Sequence, residues 1–170
     1  MITLSQPSMA LNAKDVPGPN YKMWNTWNDI PSTEDPGHIL GWVGKVAKGA
    51  PGGRLNALVF NCHGNHAYLY MGTGIGWTQV GLFSLLLDSS GKGLVDEIYL
   101  VACEVVSFSG TGDGNLFCGA IAKKAQAYVY ASSADQSTGL WPYIPYGKID
   151  GFEGKVWKWH PDGSNELTDL

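Results

Sequence analysis

Residues 55–65 read Leu55-Asn56-Ala57-Leu58-Val59-Phe60-Asn61-Cys62-His63-Gly64-Asn65. The first seven are apolar at nearly every position, the pattern of a strand buried on both faces of a parallel sheet. The strand runs straight into a His-Gly step. A second run of the same kind, Asp96-Glu97-Ile98-Tyr99-Leu100-Val101-Ala102-Cys103, ends on a cysteine. The segments around these two strands decide the class. Upstream, Asp35 supplies an N-cap and Pro36 a first-turn proline. Ile39, Leu40, Val43, Val46 and Ala47 then recur at helical spacing up to Gly49. Between the two strands lie a short strand at 67–71, a loop with Gly72, Gly74 and Gly76, and a helix begun by Thr78 that carries Val80, Leu82, Phe83, Leu86 and Leu87. Downstream come a Ser/Gly/Thr loop at 107–114, a helix over 115–126 burying Leu116, Phe117, Ala120 and Ile121, and a strand at 127–131. Strands alternating with helices predict an α/β layer fold with a mostly parallel sheet.

The two ends of the chain read differently. Residues 1–31 hold Pro7, Pro17-Gly18-Pro19 and Pro31 among the aromatics Trp24 and Trp27, and predict an irregular N-terminal arm. Lys155-Val156-Trp157-Lys158-Trp159 alternates as a strand, and the expectation is a C-terminal β-hairpin over 148–160. Trp157 and Trp159 share one face, expected to lie under the arm. Trp141 reads as a packing residue.

The 170 residues make one domain, 1–170, with no internal repeat. Hydrophobic residues make up 44% and charged residues only 15%, against the roughly 25% charged of an average domain. That composition excludes intrinsic disorder. No apolar run approaches the roughly 18 residues of a membrane span, so no membrane span is expected. The net charge is −4 and the single arginine is Arg54, so no basic patch for nucleic acid is in view. The N-terminus lacks the basic start and apolar stretch of a signal peptide. The 3 cysteines make no disulfide framework. Cytoplasmic residence is the default. The 23 Gly, 7 Trp and 8 Tyr with few charges also fit a protein released without a cleaved signal.

In an open α/β sheet, ligands bind beyond the carboxyl ends of the strands. Two parallel strands that end at His63 and Cys103 place an imidazole and a thiol on one rim. A thiol becomes a strong nucleophile as a thiolate, and imidazole is its usual partner. The backbone N–H groups of Gly64 and Cys103 are candidate donors to an oxyanion. Cys62 and Cys118 read as core. Cys62, His63 and His66 offer three metal ligands, but no further Cys or His cluster completes a tetrahedral set, and no metal is expected. The glycines 72, 74 and 76 are mis-spaced for a dinucleotide loop, so a tight turn is expected and no organic cofactor.

An apolar strand ending in His63-Gly64, followed by one ending in Ala102-Cys103, resembles the caspase-type cysteine peptidases. That group includes legumains, gingipains, clostripain and the self-cleaving domains of large bacterial toxins. Residues 55–134 also resemble an uncharacterised domain of large bacterial surface proteins, with the same order of elements. The resemblance implies a caspase-like three-layer sandwich. It implies a cysteine endopeptidase-like hydrolase using a Cys103/His63 dyad on a protein or peptide substrate, suited to a bacterial effector or toxin. It also implies a substrate pocket in the neighbourhood of Asp135, Ser132, Ser133 and Glu104, where an acidic wall favours Lys or Arg before the scissile bond. The chain departs from caspases proper after the cysteine. Glu104-Val105-Val106 follows, and no glycine comes before Gly110. That departure carries the alternative of a non-catalytic caspase-fold module that binds a protein partner.

Overall fold

A computed structural model describes residues 1–106, 113–136 and 142–170. The first six of the residues expected to form the loop at 107–114, the end of the polar stretch after 136, and Trp141 lie outside the described residues. The elements run β1 (Ile2–Thr3), β2 (Ser8–Ala13), β3 (Asn25–Ile30), α1 (Pro36–Gly49), β4 (Leu55–Asn61), β5 (His63–Asn65) and β6 (Tyr68–Tyr70). A run of 3₁₀ turns over Trp77–Leu86 follows, then β7 (Val95–Val101), α2 (Gly114–Ala125), β8 (Tyr128–Ser132), β9 (Lys148–Ile149), β10 (Val156–Trp159) and β11 (Asn165–Thr168). The mixed α/β class holds. The main sheet has 7 strands in the order β11-β10-β8-β7-β4-β2-β3. The five strands from β8 to β3 are mutually parallel; β10 runs antiparallel to β8, and β11, antiparallel to β10, closes the edge.

The N-terminal segment corrects the expectation of an irregular arm. Ser8-Met9-Ala10-Leu11-Asn12-Ala13 is buried throughout and forms β2, seated inside the sheet between β3 and β4. Its residues are poor strand formers, with no β-branched or aromatic side chain, so the local signal is weak. The strand exists because the buried β4 and the more polar edge strand β3 pair with it on either side and because its polar positions are satisfied. Ser8 Oγ donates to the Ser5 carbonyl at 2.7 Å. Asn12 Nδ2 donates to the Tyr21 carbonyl at 2.9 Å, and Asn12 Oδ1 accepts from Tyr21 N–H at 3.0 Å and from Asn61 Nδ2 at 2.8 Å.

The helices follow their sequence signals. Asp35 Oδ2 caps α1 by accepting from His38 N–H at 3.1 Å, and Ile39, Leu40, Val43, Val46 and Ala47 are buried. Asp113 caps α2 in the same way, with Phe117, Cys118 and Ile121 buried; Leu116, expected in the core, is instead exposed on the outer face. The expected helix after Thr78 is replaced by the 3₁₀ run, opened at Gly76, whose N–H donates to Gln79 Oε1 at 2.9 Å. All three elements cover one face of the sheet and share its larger core with Leu58, Phe60, Ile98, Leu100 and Trp159. The opposite face is covered by non-helical chain: Tyr21 and Met23 from the 14–24 loop, Ile144, and Ile149 of β9, which pairs with β1. The layers are therefore helix, sheet and loop-with-ribbon. None of the helices among the described residues is long and apolar enough to cross a membrane.

The expected hairpin of 148–153 with 155–159 does not form; Val156–Trp159 takes other partners. β10 pairs with β11 around the turn at 160–164 and with β8 on its other side, while residues 148–149 pair with β1. The Pro161-Asp162-Gly163 turn sets this closure, with Gly163 N–H donating to the His160 carbonyl at 2.8 Å. Trp159 does not lie under an arm. It packs beneath α2, where its Nε1 donates to Asn115 Oδ1 at 2.9 Å.

Two predictions follow from this core. Deleting residues 1–13 removes an interior strand, so the expected product shows no cooperative thermal unfolding by circular dichroism, whereas loss of a surface arm would leave a sharp transition. The second concerns alkaline pH. Burial pushes the Cys62 thiol from 9.0 up to about 12, the neighbouring Cys103 adding to the rise. Burial also pushes the Tyr21 phenol from 10.0 up to about 12. Below these ordinary values both groups are neutral in the folded and unfolded chain alike. Above them the unfolded chain loses its protons first, so stability falls as pH rises. The urea midpoint should be flat below about pH 9 and decline from there toward pH 12.

Candidate active site

The chain leaves β2 toward the loop-covered face, lays down β3 at the sheet edge, returns through α1, and enters β4 on the other side of β2. From β4 it departs into β5, β6 and the 3₁₀ run on the helical face. Connections leaving adjacent strand ends in opposite directions open a crevice there, the usual ligand site of such sheets. A cavity of about 360 Å³ occupies it, lined by Ala13, Asp15, Ile30, Ser32, His63 and Tyr70 among others.

His63 stands on the wall of this crevice. Its Nε2 lies 3.0 Å from the Asp15 carbonyl oxygen. A carbonyl only accepts, so Nε2 carries the proton and a neutral ring keeps its lone pair on Nδ1. The Asp15 carbonyl is itself held in place from the strand behind it. Asn12 clamps Tyr21 through both backbone groups, and Lys14 N–H donates to the Ile30 carbonyl at 3.0 Å.

The His-Gly and Ala-Cys steps meet. β4 and β7 pair up to Asn61 and Val101, and Cys62 N–H donates to the Val101 carbonyl at 3.4 Å. A Cβ on Gly64 would stand 2.7 Å from the Cys103 carbonyl oxygen and 2.8 Å from Ala102 Cβ. Only glycine permits that approach. Leu69 spends both its N–H and its C=O on Ile75, each at 2.9 Å, so the Gly64–Leu69 pair is a non-bonded one. The N–H of Gly64 therefore points away from β6. Neither it nor the Cys103 N–H has a hydrogen-bond partner among the described residues.

The two reactive side chains are not bonded to each other. Cys103 Sγ faces the backbone of Gln136, 3.4 Å from its N–H nitrogen and 3.6 Å from its carbonyl oxygen. Cys103 is half-buried, whereas Cys62 and Cys118 are 4% and 0% exposed. Burial drives the Cys118 thiol upward, and the Asp113 charge adds to it. Glu104, directly after the cysteine, takes a left-handed backbone with φ 48°, which turns the chain sharply. Its carboxylate lies 3.7 Å from His66 Nε2, both side chains half exposed.

The remaining expected site residues divide. Asp135 is exposed and adjoins Gln136, so it lies beside the thiol's partner. Ser132 is fully buried, its hydroxyl donating to the Glu153 carbonyl and accepting from Ala134 N–H at 3.1 Å. Ser133 is exposed and its N–H donates to the Lys155 carbonyl at 3.3 Å. Among the described residues no group of three His, Cys, Asp or Glu side chains is placed to hold a metal ion. Gly72 and Gly74 adopt φ of +60° and +115° in a turn closed by Gly74 N–H to the Met71 carbonyl at 3.1 Å. The Asp15 carbonyl, the Gln136 backbone and the crevice walls carry no sequence signature, because main-chain groups and small apolar residues look the same everywhere in a chain.

Comparison with protein-family models, with curated proteins and with solved structures finds no match for this chain.

The packing makes two claims measurable. Gly64→Ala forces a methyl against a backbone carbonyl and should cost about 1–3 kcal/mol in urea unfolding. In the native protein iodoacetamide should modify Cys103 alone, with Cys62 and Cys118 labelled only after unfolding, as read by peptide mass spectrometry.

Proposed function

We propose that the chain is a thiol-dependent hydrolase of the caspase-like peptidase type, with Cys103 as nucleophile and His63 as acid–base. One observation carries this reading. The only half-buried cysteine and an imidazole oriented by a main-chain carbonyl emerge from adjacent parallel strands, joined through the Gly64–Cys103 contact. The strand order, with the antiparallel β10 and its hairpin partner β11 closing one edge of a parallel sheet, supports the same reading.

The chemistry runs through the chain's own groups. The Cys103 proton passes to His63 Nδ1, and the sulfur attacks the substrate carbonyl carbon to form a C–S bond. The developing oxyanion is met by the N–H groups of Gly64 and Cys103. As the C–N bond breaks, the imidazolium returns its proton to the leaving amine, and the Asp15 carbonyl keeps the ring in register. Water, activated by the same ring, then hydrolyses the thioester. The gap between His63 and Cys103 in the free protein agrees with this scheme, since such contacts often tighten only around substrate. The substrate class is peptide or protein, and no metal or organic cofactor enters any step. Asp135 borders the acyl side and favours a basic residue before the scissile bond.

A second reading draws on a different observation. Cys103 Sγ is already engaged by the Gln136 backbone, which suits a non-catalytic module that binds a protein partner. Two measurements decide between them. The hydrolase reading expects Cys103 in His63→Ala to be alkylated at neutral pH at least tenfold more slowly than in the native protein, and a peptide library to be cleaved by the native chain but not by Cys103→Ala. Equal labelling rates together with an uncleaved library sink it and leave the binding module.

A further inference from the structure

The crevice beside His63 has a direction. Along the rim the order is Gln136 after β8, Cys103 after β7, His63 after β4, then Asp15 after β2 and Ser32 after β3. The cavity of about 360 Å³ lies on the β2–β3 side of the imidazole, away from the thiol. Its walls include Ala13 and Ile30, both buried core residues, and its mouth carries Ser32 and Tyr70, which are exposed. The side-chain hydroxyls of Ser32 and Tyr70 have no hydrogen-bond partner among the described residues. A thiol that holds the acyl half of a substrate puts the other half across the acid that protonates it. Whatever leaves must therefore pass over His63 into this crevice.

We propose that this cavity is the leaving-group subsite and that it takes a medium-sized apolar side chain, so the substrates are peptides with a residue such as Leu or Phe directly after the scissile bond. The inference rests on the hydrolase reading above and adds a specificity that the thiol and imidazole do not supply. The volume stands near the lower end of ligand pockets, roughly 300–1,000 Å³, and holds one residue rather than a long segment. Apolar walls reward each buried methylene, and the free hydroxyls at the mouth can meet the backbone of the released amine. Discrimination against glycine should reach at least about tenfold, the yield of a methylene or more in such a pocket.

Binding and turnover separate the two claims. Phenylalaninamide, leucinamide and glycinamide serve as probes for titration against Cys103→Ala, followed by NMR at the His63 ring. The subsite predicts that the first two bind at least about tenfold more tightly than glycinamide. Ser32→Trp, a substitution at an exposed position that fills the mouth, should abolish the difference while the thermal midpoint stays unchanged. Turnover is read with fluorogenic peptides varied only after the scissile bond. Cleavage favouring Leu and Phe supports the subsite. Cleavage without preference there overturns it and leaves the hydrolase intact. Amide binding with no cleavage of any peptide overturns the hydrolase and the leaving-group role with it. Equal binding of all three amides, or binding indifferent to Ser32→Trp, removes the pocket itself.

Discussion

Insertion of β2 between β3 and β4 is the constraint on which the rest of the molecule depends. Parallel strands need crossovers, and a strand laid down first but placed inside the sheet forces the chain to reverse direction around it. The reversal opens the crevice, and it brings the loop after β2 against the loop after β4. The amide bridge from Asn61 to Asn12, 2.8 Å long, ties those two strands together just below their ends. Asn12 uses its remaining capacity on Tyr21 and Asn28. A buried amide network of this kind is stable only when every member is satisfied, and no buried side-chain polar atom among the described residues lacks a partner.

From that base the rim is assembled largely by main chain. The Asp15 carbonyl sets the tautomer of His63, the Gln136 backbone holds Cys103 Sγ, and Gly64 brings its Cα against the Cys103 carbonyl. Backbone partners are insensitive to side-chain identity, so such a rim keeps its geometry under substitution of most surrounding residues. It also gives the thiol and the imidazole separate main-chain partners. Burial sorts the three cysteines at the same time. Cys62 and Cys118 lie in low-dielectric surroundings that oppose a thiolate, and only Cys103 reaches the surface. The left-handed Glu104 is the local cost of ending β7 with that turn, and its carboxylate is directed to His66.

The strongly apolar strands β4 and β7 and the capped helices α1 and α2 were legible because each carries its own reason to form. The apolar stretches 57–60 and 98–103 cannot stay in water, Asp35-Pro36 satisfies the start of α1 from within a few residues, and α2 carries Phe117 and Ile121 at helical spacing. His63, Cys103 and Gly64 were legible for the same cause, since they stand at the ends of those strands. β2 was not legible, because Ser8-Met9-Ala10-Leu11-Asn12-Ala13 lacks β-branched residues and pairs only with segments distant in the chain. The hairpin partner was misassigned for a related reason. Val156–Trp159 fits a strand wherever it pairs, and β8 together with the 160–164 turn selected its partners. Ser132 carries the hydroxyl expected of a pocket, yet the neighbouring Glu153 carbonyl takes it into the interior.

By itself the sequence determined the α/β class, two buried strands ending in an imidazole and a thiol, and two helices, the first with its cap, because these follow from hydrophobic periodicity and local hydrogen bonding. Only the tertiary structure decided that a weakly strand-forming N-terminal segment lies inside the sheet, that a main-chain carbonyl orients His63, and that a crevice opens on one side of it. Those features arise from pairings between residues far apart in the chain, whose energies no local pattern records.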